Sequence, residues 1–187
     1  GAILDALPIG EEFDWVEAVS VELTTQMLAT LFDFPFQDRS KLTRWSDVAT
    51  AGPGNGISFE QRRTELLECL EYFTGLWNER VNEAPKGDLI SMLAHGKDTR
   101  NMAPMEFLGN LILLIVGGND TTRNSISGGV LALNENPAEY QKLRDNPGLI
   151  PTMVPEIIRW QTPLAYMRRT ASVDTTLNGK HIKAGDK

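Results

Sequence analysis

The fifteen residues LLIVGGNDTTRNSIS, Leu113 to Ser127, constrain this chain more than any other stretch. They lie inside a run that reads as one helix from about residue 104 to residue 134, with Pro104 suited to a first turn. At about 1.5 Å per residue such a helix is about 46 Å long. Its middle is apolar on nearly every side, which predicts a central strut buried all round. Yet Gly117, Gly118, Asp120, Thr121 and Thr122 interrupt that middle. Each glycine costs roughly 0.8–1 kcal/mol relative to alanine, and threonine is a mediocre helix former. The interruption therefore serves close packing or chemistry.

The rest of the chain reads as mainly α with a small β region. Asp14 to Phe32 carries apolar residues at helical spacing and stops before Pro35; a second helix runs from about Gln37 to Thr50, with Leu42, Trp45, Val48 and Ala49 as its stripe. Ala51 to Ser58 (AGPGNGIS) is a connector, and Ser58 can cap a helix from Phe59 to about Asn82. Asp88 to Ala94 is a short helix followed by a loop holding His95. "NPAE" predicts an N-cap at Asn136 with a capping box closed by Glu139. In PTMVPEIIRWQTP, Thr152 as cap would place Pro155 in the first turn, and Pro163 ends the helix. From Ala165 the pattern becomes strand-like, a hairpin near 165–187 turning at Asn178-Gly179.

Composition narrows the function classes. A formal charge of −7 without any basic run argues against nucleic acid. One cysteine, Cys69, and two histidines exclude a disulfide framework and make a protein-only metal site improbable. Cys69 lies among the core positions of its helix and reads as a packed thiol. No secretory signal is visible, and the longest apolar stretch, Leu111 to Val116, is far short of the roughly 20 residues that span a bilayer. A cytoplasmic protein without membrane insertion is expected. The chain opens at Gly1 and stops within a strand-like segment, so the expectation is a single incomplete domain, 1–187.

GGNDTT admits four readings. A phosphate loop lacks the glycine spacing and the following lysine. An aspartic-protease-like Asp-Thr pair needs a hairpin setting, which the helical flanks deny. In the third, small residues form a packing notch and the threonines bond back to carbonyls one turn earlier. In the fourth, the glycines let the helix bulge or bend beside a flat group, and Asp120 and Thr121 relay protons into a dry cavity. Elsewhere Glu156 and Arg159 of EIIR stand three residues apart and can pair on one helix face.

Taken in order, GGNDTT, EIIR and RRTA, with the helices between them, resemble the cytochrome P-450 haem-thiolate monooxygenases over essentially the whole chain. The resemblance implies an interior piece of that fold, with haem as cofactor. Asp120 and Thr121 would be catalytic, and Gly117 and Gly118 would lie against the haem. Counting back from the Asn178-Gly179 turn selects Arg169 for a haem propionate. Glu156 and Arg159 would be structural. The family's cysteine ligand comes from a later loop, so the resemblance places the axial ligand outside this chain and assigns no metal ligand within it. TTQMLATLFDFPFQDRSKLTRWSDVATAGPG, LALNENPAEYQKLRDNP and EIIRWQTPLAYMRRTA resemble the bacterial branch that hydroxylates the terminal carbon of medium-chain alkanes. Leu113, Val116, Leu164 and Ala165 would then form an uncharged substrate wall. O2, a ferredoxin and its reductase are the implied partners, and Ala51–Ser58 the flexible entrance roof. The alternative is a non-catalytic helical interaction module in which GGNDTT is only a packing notch.

Overall fold

Local signals place most helix boundaries in the structure, a computed structural model that describes residues 1–52 and 54–187. Pro53, in the glycine-rich connector, lies outside the described residues. The elements are α1 (Ala2–Asp5), a π-helical segment (Val16–Val21) running directly into α2 (Glu22–Phe32), α3 (Ser40–Thr50), α4 (Phe59–Arg80) and α5 (Leu89–His95). The long α6 (Pro104–Glu135), α7 (Pro137–Asp145) and α8 (Ile150–Gln161) follow, then β1 (Thr175–Leu177) and β2 (Lys180–Ile182). Short 3-10 turns, Phe36–Asp38 and Pro147–Leu149, precede α3 and α8. Ser58 caps α4 by accepting from the Gln61 amide at 3.0 Å, and Asp88 caps α5 by accepting from the Ser91 amide at 2.8 Å.

The core gathers where α2, α3, α4 and α6 meet. Phe32, Trp45, Phe73, Leu42, Leu111 and Ile115 are all but sealed from solvent. Phe32 and Phe73 meet edge-on at 5.3 Å, and Phe34 stacks on Tyr72 at 4.8 Å. Burying each such side chain contributes about 1.5–3 kcal/mol, so this cluster fixes α6 against α2 and α3. At its edge the Arg80 guanidinium, nearly buried, reaches Asp33 at 2.7 Å and Asp88 at 3.8 Å, tying the ends of α2, α4 and α5 together.

Several expectations change. α6 is not buried all round. Phe107, Leu108, Leu111, Ile115, Asn119 and Gly129 form its buried stripe, whereas Leu113 stands 71% exposed and Gly117 is bare. Apolarity on every side measures what a helix can cover, and at Leu113 and Gly117 one side is left uncovered, while α8 packs on the helix further along, at Gly128 and Gly129. Nor do the glycines open a bulge: α6 is α-helical without interruption, and the π-helical turns lie at Val16–Val21 instead.

The Asn136 capping box does not form. Its amide turns back to the Ala132 carbonyl at 2.9 Å, and Glu139 pairs with Lys142 at 2.7 Å. α8 starts at Ile150, so Pro155 sits inside it, and Thr152 bonds back to the Leu149 carbonyl at 2.9 Å rather than capping. The hairpin is shorter than expected. Thr175 pairs with Ile182 and Leu177 with Lys180 around a turn with Asn178 and Gly179 both at positive φ, while 165–174 forms no strand. His95 ends α5 rather than lying in a loop, with Nε2 3.0 Å from the Arg80 carbonyl oxygen.

Candidate active site on the long helix

Gly117 and Gly118 are neighbours in sequence but face different surroundings. A Cβ at Gly118 would come within 2.6 Å of Leu28 Cδ2 on α2, so Gly118 lets two helices close on each other. A Cβ at Gly117 would meet nothing within 4 Å. Leu113, Gly117 and Thr121 are spaced by four and lie along one side of α6. That side carries no buried residue in this stretch. An apolar, glycine-bared strip of this kind suits a flat ligand laid against the helix.

Thr121 donates its hydroxyl to the Gly117 carbonyl at 3.0 Å. Ser125 does the same to Thr121 at 2.8 Å and Ser127 to Arg123 at 3.0 Å, so polar side chains in an apolar helix are satisfied along its own backbone. Thr121 also lines a cavity of about 460 Å³ with Ser125, Ile126, Ile157, Ile158 and Pro163. That volume falls in the range of small-molecule sites. The fold thus sets Thr121 and Pro163 on the lining of one cavity. It does not draw Leu113, Leu164 and Ala165 into one enclosed wall: all three are exposed, and Val116 is half-buried.

Asp120 points away from this cavity. Its carboxylate accepts from Arg123 Nη2 at 2.5 Å, and the same nitrogen lies 3.4 Å from Asp47 on α3. Arg123 belongs to the site's electrostatics and was not assigned from sequence, although its three-residue spacing from Asp120 repeats that of Glu156 and Arg159. Asn119 was also missed. It is fully buried, its Oδ1 accepts from the Thr24 hydroxyl at 3.0 Å, and its Nδ2 finds no partner among the described residues. Its place in the 108–111–115–119 stripe was the available signal.

Glu156 and Arg159 form a bidentate pair at 2.7 Å for both contacts. The guanidinium holds the Glu156 carboxyl below its usual range through that hydrogen bond, and both side chains are well exposed on α8. Arg169 is exposed and makes no side-chain hydrogen bond or ion pair among the described residues, which leaves its guanidinium free for an anionic group. Cys69 is sealed in the core, and burial pushes its thiol up to about 12. It cannot serve as a thiolate ligand on the open face of α6. Among the described residues no cluster of His, Cys, Asp or Glu could hold a metal ion, and no helix is long and apolar enough to cross a membrane.

No protein-family profile matches the chain. Linalool 8-monooxygenase of Pseudomonas putida is 34% identical over 100% of this chain and 46% of its own length. The structure of CYP153D17 from Sphingomonas sp. PAMC 26605 is 54% identical with a TM-score of 0.87, covering 99% of this chain and 47% of that one. Cytochrome P450-153 from Novosphingobium aromaticivorans is 51% identical with a TM-score of 0.83, over 99% and 45%. The chain belongs to the cytochrome P-450 superfamily, and its helices with the small sheet are a piece of that fold. It spans just under half the length of the relatives it matches. The family's cofactor is haem with a thiolate ligand. The bare strip at Gly117 and the free Arg169 guanidinium fit that group's flat face and carboxylates, whereas Cys69 does not fit its ligand.

Proposed function

We propose that this chain carries the oxygen-side wall of a monooxygenase that inserts one atom of O2 into an unactivated C–H bond. One observation carries the reading: Thr121 lines a largely apolar cavity, one turn from a glycine whose missing side chain leaves open space. Bound haem would supply reductive activation of O2 and oxygen insertion. Gly117 would leave room for haem and substrate to approach the helix, and Arg169 would hold a propionate. Thr121 can exchange its bond to the Gly117 carbonyl for one to a ligand oxygen or water, holding a proton at its Oγ1. Asp120, kept near by Arg123, is the carboxylate that resupplies that proton from the α3 side.

The substrate we infer is a medium-chain alkane or related aliphatic, attacked at its terminal carbon; what supports it is that the cavity lined by Thr121, Ile126, Val130, Ile157, Ile158 and Pro163 carries no charge. Electrons come from a ferredoxin and its reductase in the cytoplasm. The packing-notch reading has its own support, at Gly118 against Leu28.

The test is Thr121→Ala in the full-length protein, with Thr121→Ser beside it. Losing a positioned proton-transfer group is expected to cut product formed per reductant consumed by about tenfold or more, with serine restoring it. Coupling unchanged in Thr121→Ala, with product still formed, removes Thr121 from the mechanism. Absence of any alcohol from octane in the wild type refutes the function itself.

A further inference from the structure

Among the described residues three non-glycine positions have positive φ: Asp33, Asn178 and Thr162. Aspartate and asparagine tolerate the left-handed region, but a β-branched residue there is a genuine outlier. Thr162 has φ 45° and ψ 60°, and it precedes Pro163, a setting that favours extended backbone. A helix ending this way ordinarily uses glycine.

Its partners explain how the conformation is held. The Thr162 amide donates to the Ile158 carbonyl at 2.9 Å, and its hydroxyl donates to the Arg159 carbonyl at 2.7 Å. Arg159 is itself clamped by Glu156. The next residue, Pro163, lines the cavity that Thr121 also lines, and Leu164 and Ala165 follow at once. We infer that Thr162 is a positioning residue: its side-chain lock on the end of α8 aims Pro163, Leu164 and Ala165, and so sets which carbon of an aliphatic substrate faces Thr121. Glycine would adopt the same turn without strain but would leave the segment free to choose other directions. Threonine accepts the strain and removes that freedom.

This inference rests on the proposed hydroxylase activity, and the test separates the two. In the full-length haem-loaded protein, Thr162→Gly and Thr162→Asn are compared with wild type on octane. Readouts are the ratio of terminal to subterminal alcohol, kcat and KM apart, thermal midpoint and the haem absorption spectrum. Thr162→Gly is expected to keep the haem spectrum and thermal midpoint while the terminal-to-subterminal ratio falls by about tenfold, the scale of a small misplacement near reacting atoms. Thr162→Asn, which tolerates the left-handed turn and keeps a donor for the Arg159 carbonyl, is expected to stay near wild type. An unchanged ratio in Thr162→Gly overturns the inference, and so does an equal fall in both variants. If Thr162→Gly fails to load haem, the asparagine variant with Thr162→Ser decides: a ratio that shifts in serine, which keeps the hydroxyl, refutes the lock. A wild type that yields no alcohol sinks the activity instead.

Discussion

Replacing Gly117 and Gly118 by alanine, one at a time, asks the structure to give opposite answers at adjacent positions. Each change gains helix propensity worth about 0.8–1 kcal/mol. At Gly117 the new methyl meets nothing within 4 Å, so that gain should appear whole. At Gly118 it meets Leu28 Cδ2 at 2.6 Å and Cγ at 3.4 Å. Leu28 is 2% exposed and packed beside Ala29 and Phe32, so it cannot swing aside without moving the core. Overpacking of that kind costs about 1–3 kcal/mol, which leaves Gly118→Ala about 0–2 kcal/mol less stable than the parent. The two variants should therefore differ by about 1–3 kcal/mol. With a urea slope of about 2 kcal/mol/M, their midpoints separate by about 0.5–1.5 M. Urea titration of the haem-free full-length protein, in which nothing lies against Gly117, followed by helical circular dichroism, reads this directly. If Gly118→Ala proves as stable as Gly117→Ala, the close α2–α6 approach is wrong, and so is the division of labour between the two glycines.

Cys69 should resist thiol reagents at pH 8 in the native protein and label only at the rate of unfolding; prompt stoichiometric labelling would contradict its burial. Its ordinary value is 9.0 and its folded value about 12, so its contribution to stability is whole below pH 9 and is lost as pH climbs toward 12. Cys69→Ala should flatten that alkaline limb in a pH series of thermal midpoints. Glu22 behaves in the opposite sense. The Gln26 side-chain hydrogen bond, and after it that of Arg39, hold its carboxyl below 4.5. Its contribution is present above pH 4.5 and lost as pH falls through the lowered folded value, so Glu22→Gln should soften the acid limb; an unaltered limb would deny the pair any role. Arg80→Ala strands the buried Asp88 carboxylate and should cost about 3 kcal/mol in urea unfolding, whereas a loss within error would mean that water already screens that pair.

Helix period and punctuation made the frame legible from sequence. Pro104 marked the start of α6 and Ser58 the cap of α4, because those signals act within one turn. The failures share a cause. Asn136, Thr152 and Ala165 carry local signals that a competing neighbour overrides: the Ala132 carbonyl for Asn136, the Leu149 carbonyl for Thr152, and for 165–174 the absence of a pairing strand among the described residues. Periodicity likewise says which residues of α6 are apolar, not which side is covered. Leu113 and Leu111 are the same residue type two positions apart, one 71% exposed and the other sealed.

The site divides along the same line. Residue types announced Asp120, Thr121, Glu156 and Arg159, since their chemistry is local to one helix turn. Whether each pair is a surface bridge or part of a site depends on what crosses to it. The Glu156 and Arg159 side chains bond only one another, among the contacts of the described residues, and stand in solvent. Asp120 and Arg123 have the same spacing, but the guanidinium is largely covered and also faces Asp47, seventy-six residues earlier. That second carboxylate makes Asp120 a group held between two helices instead of a free surface acid. One helix therefore presents two environments on adjoining faces. The side toward α2 and α3 carries Gly118, Asn119 and the Asp120 carboxylate, held by packing and charge. The open side carries Gly117 and the Thr121 hydroxyl, bonded only to their own backbone and so free to take another partner.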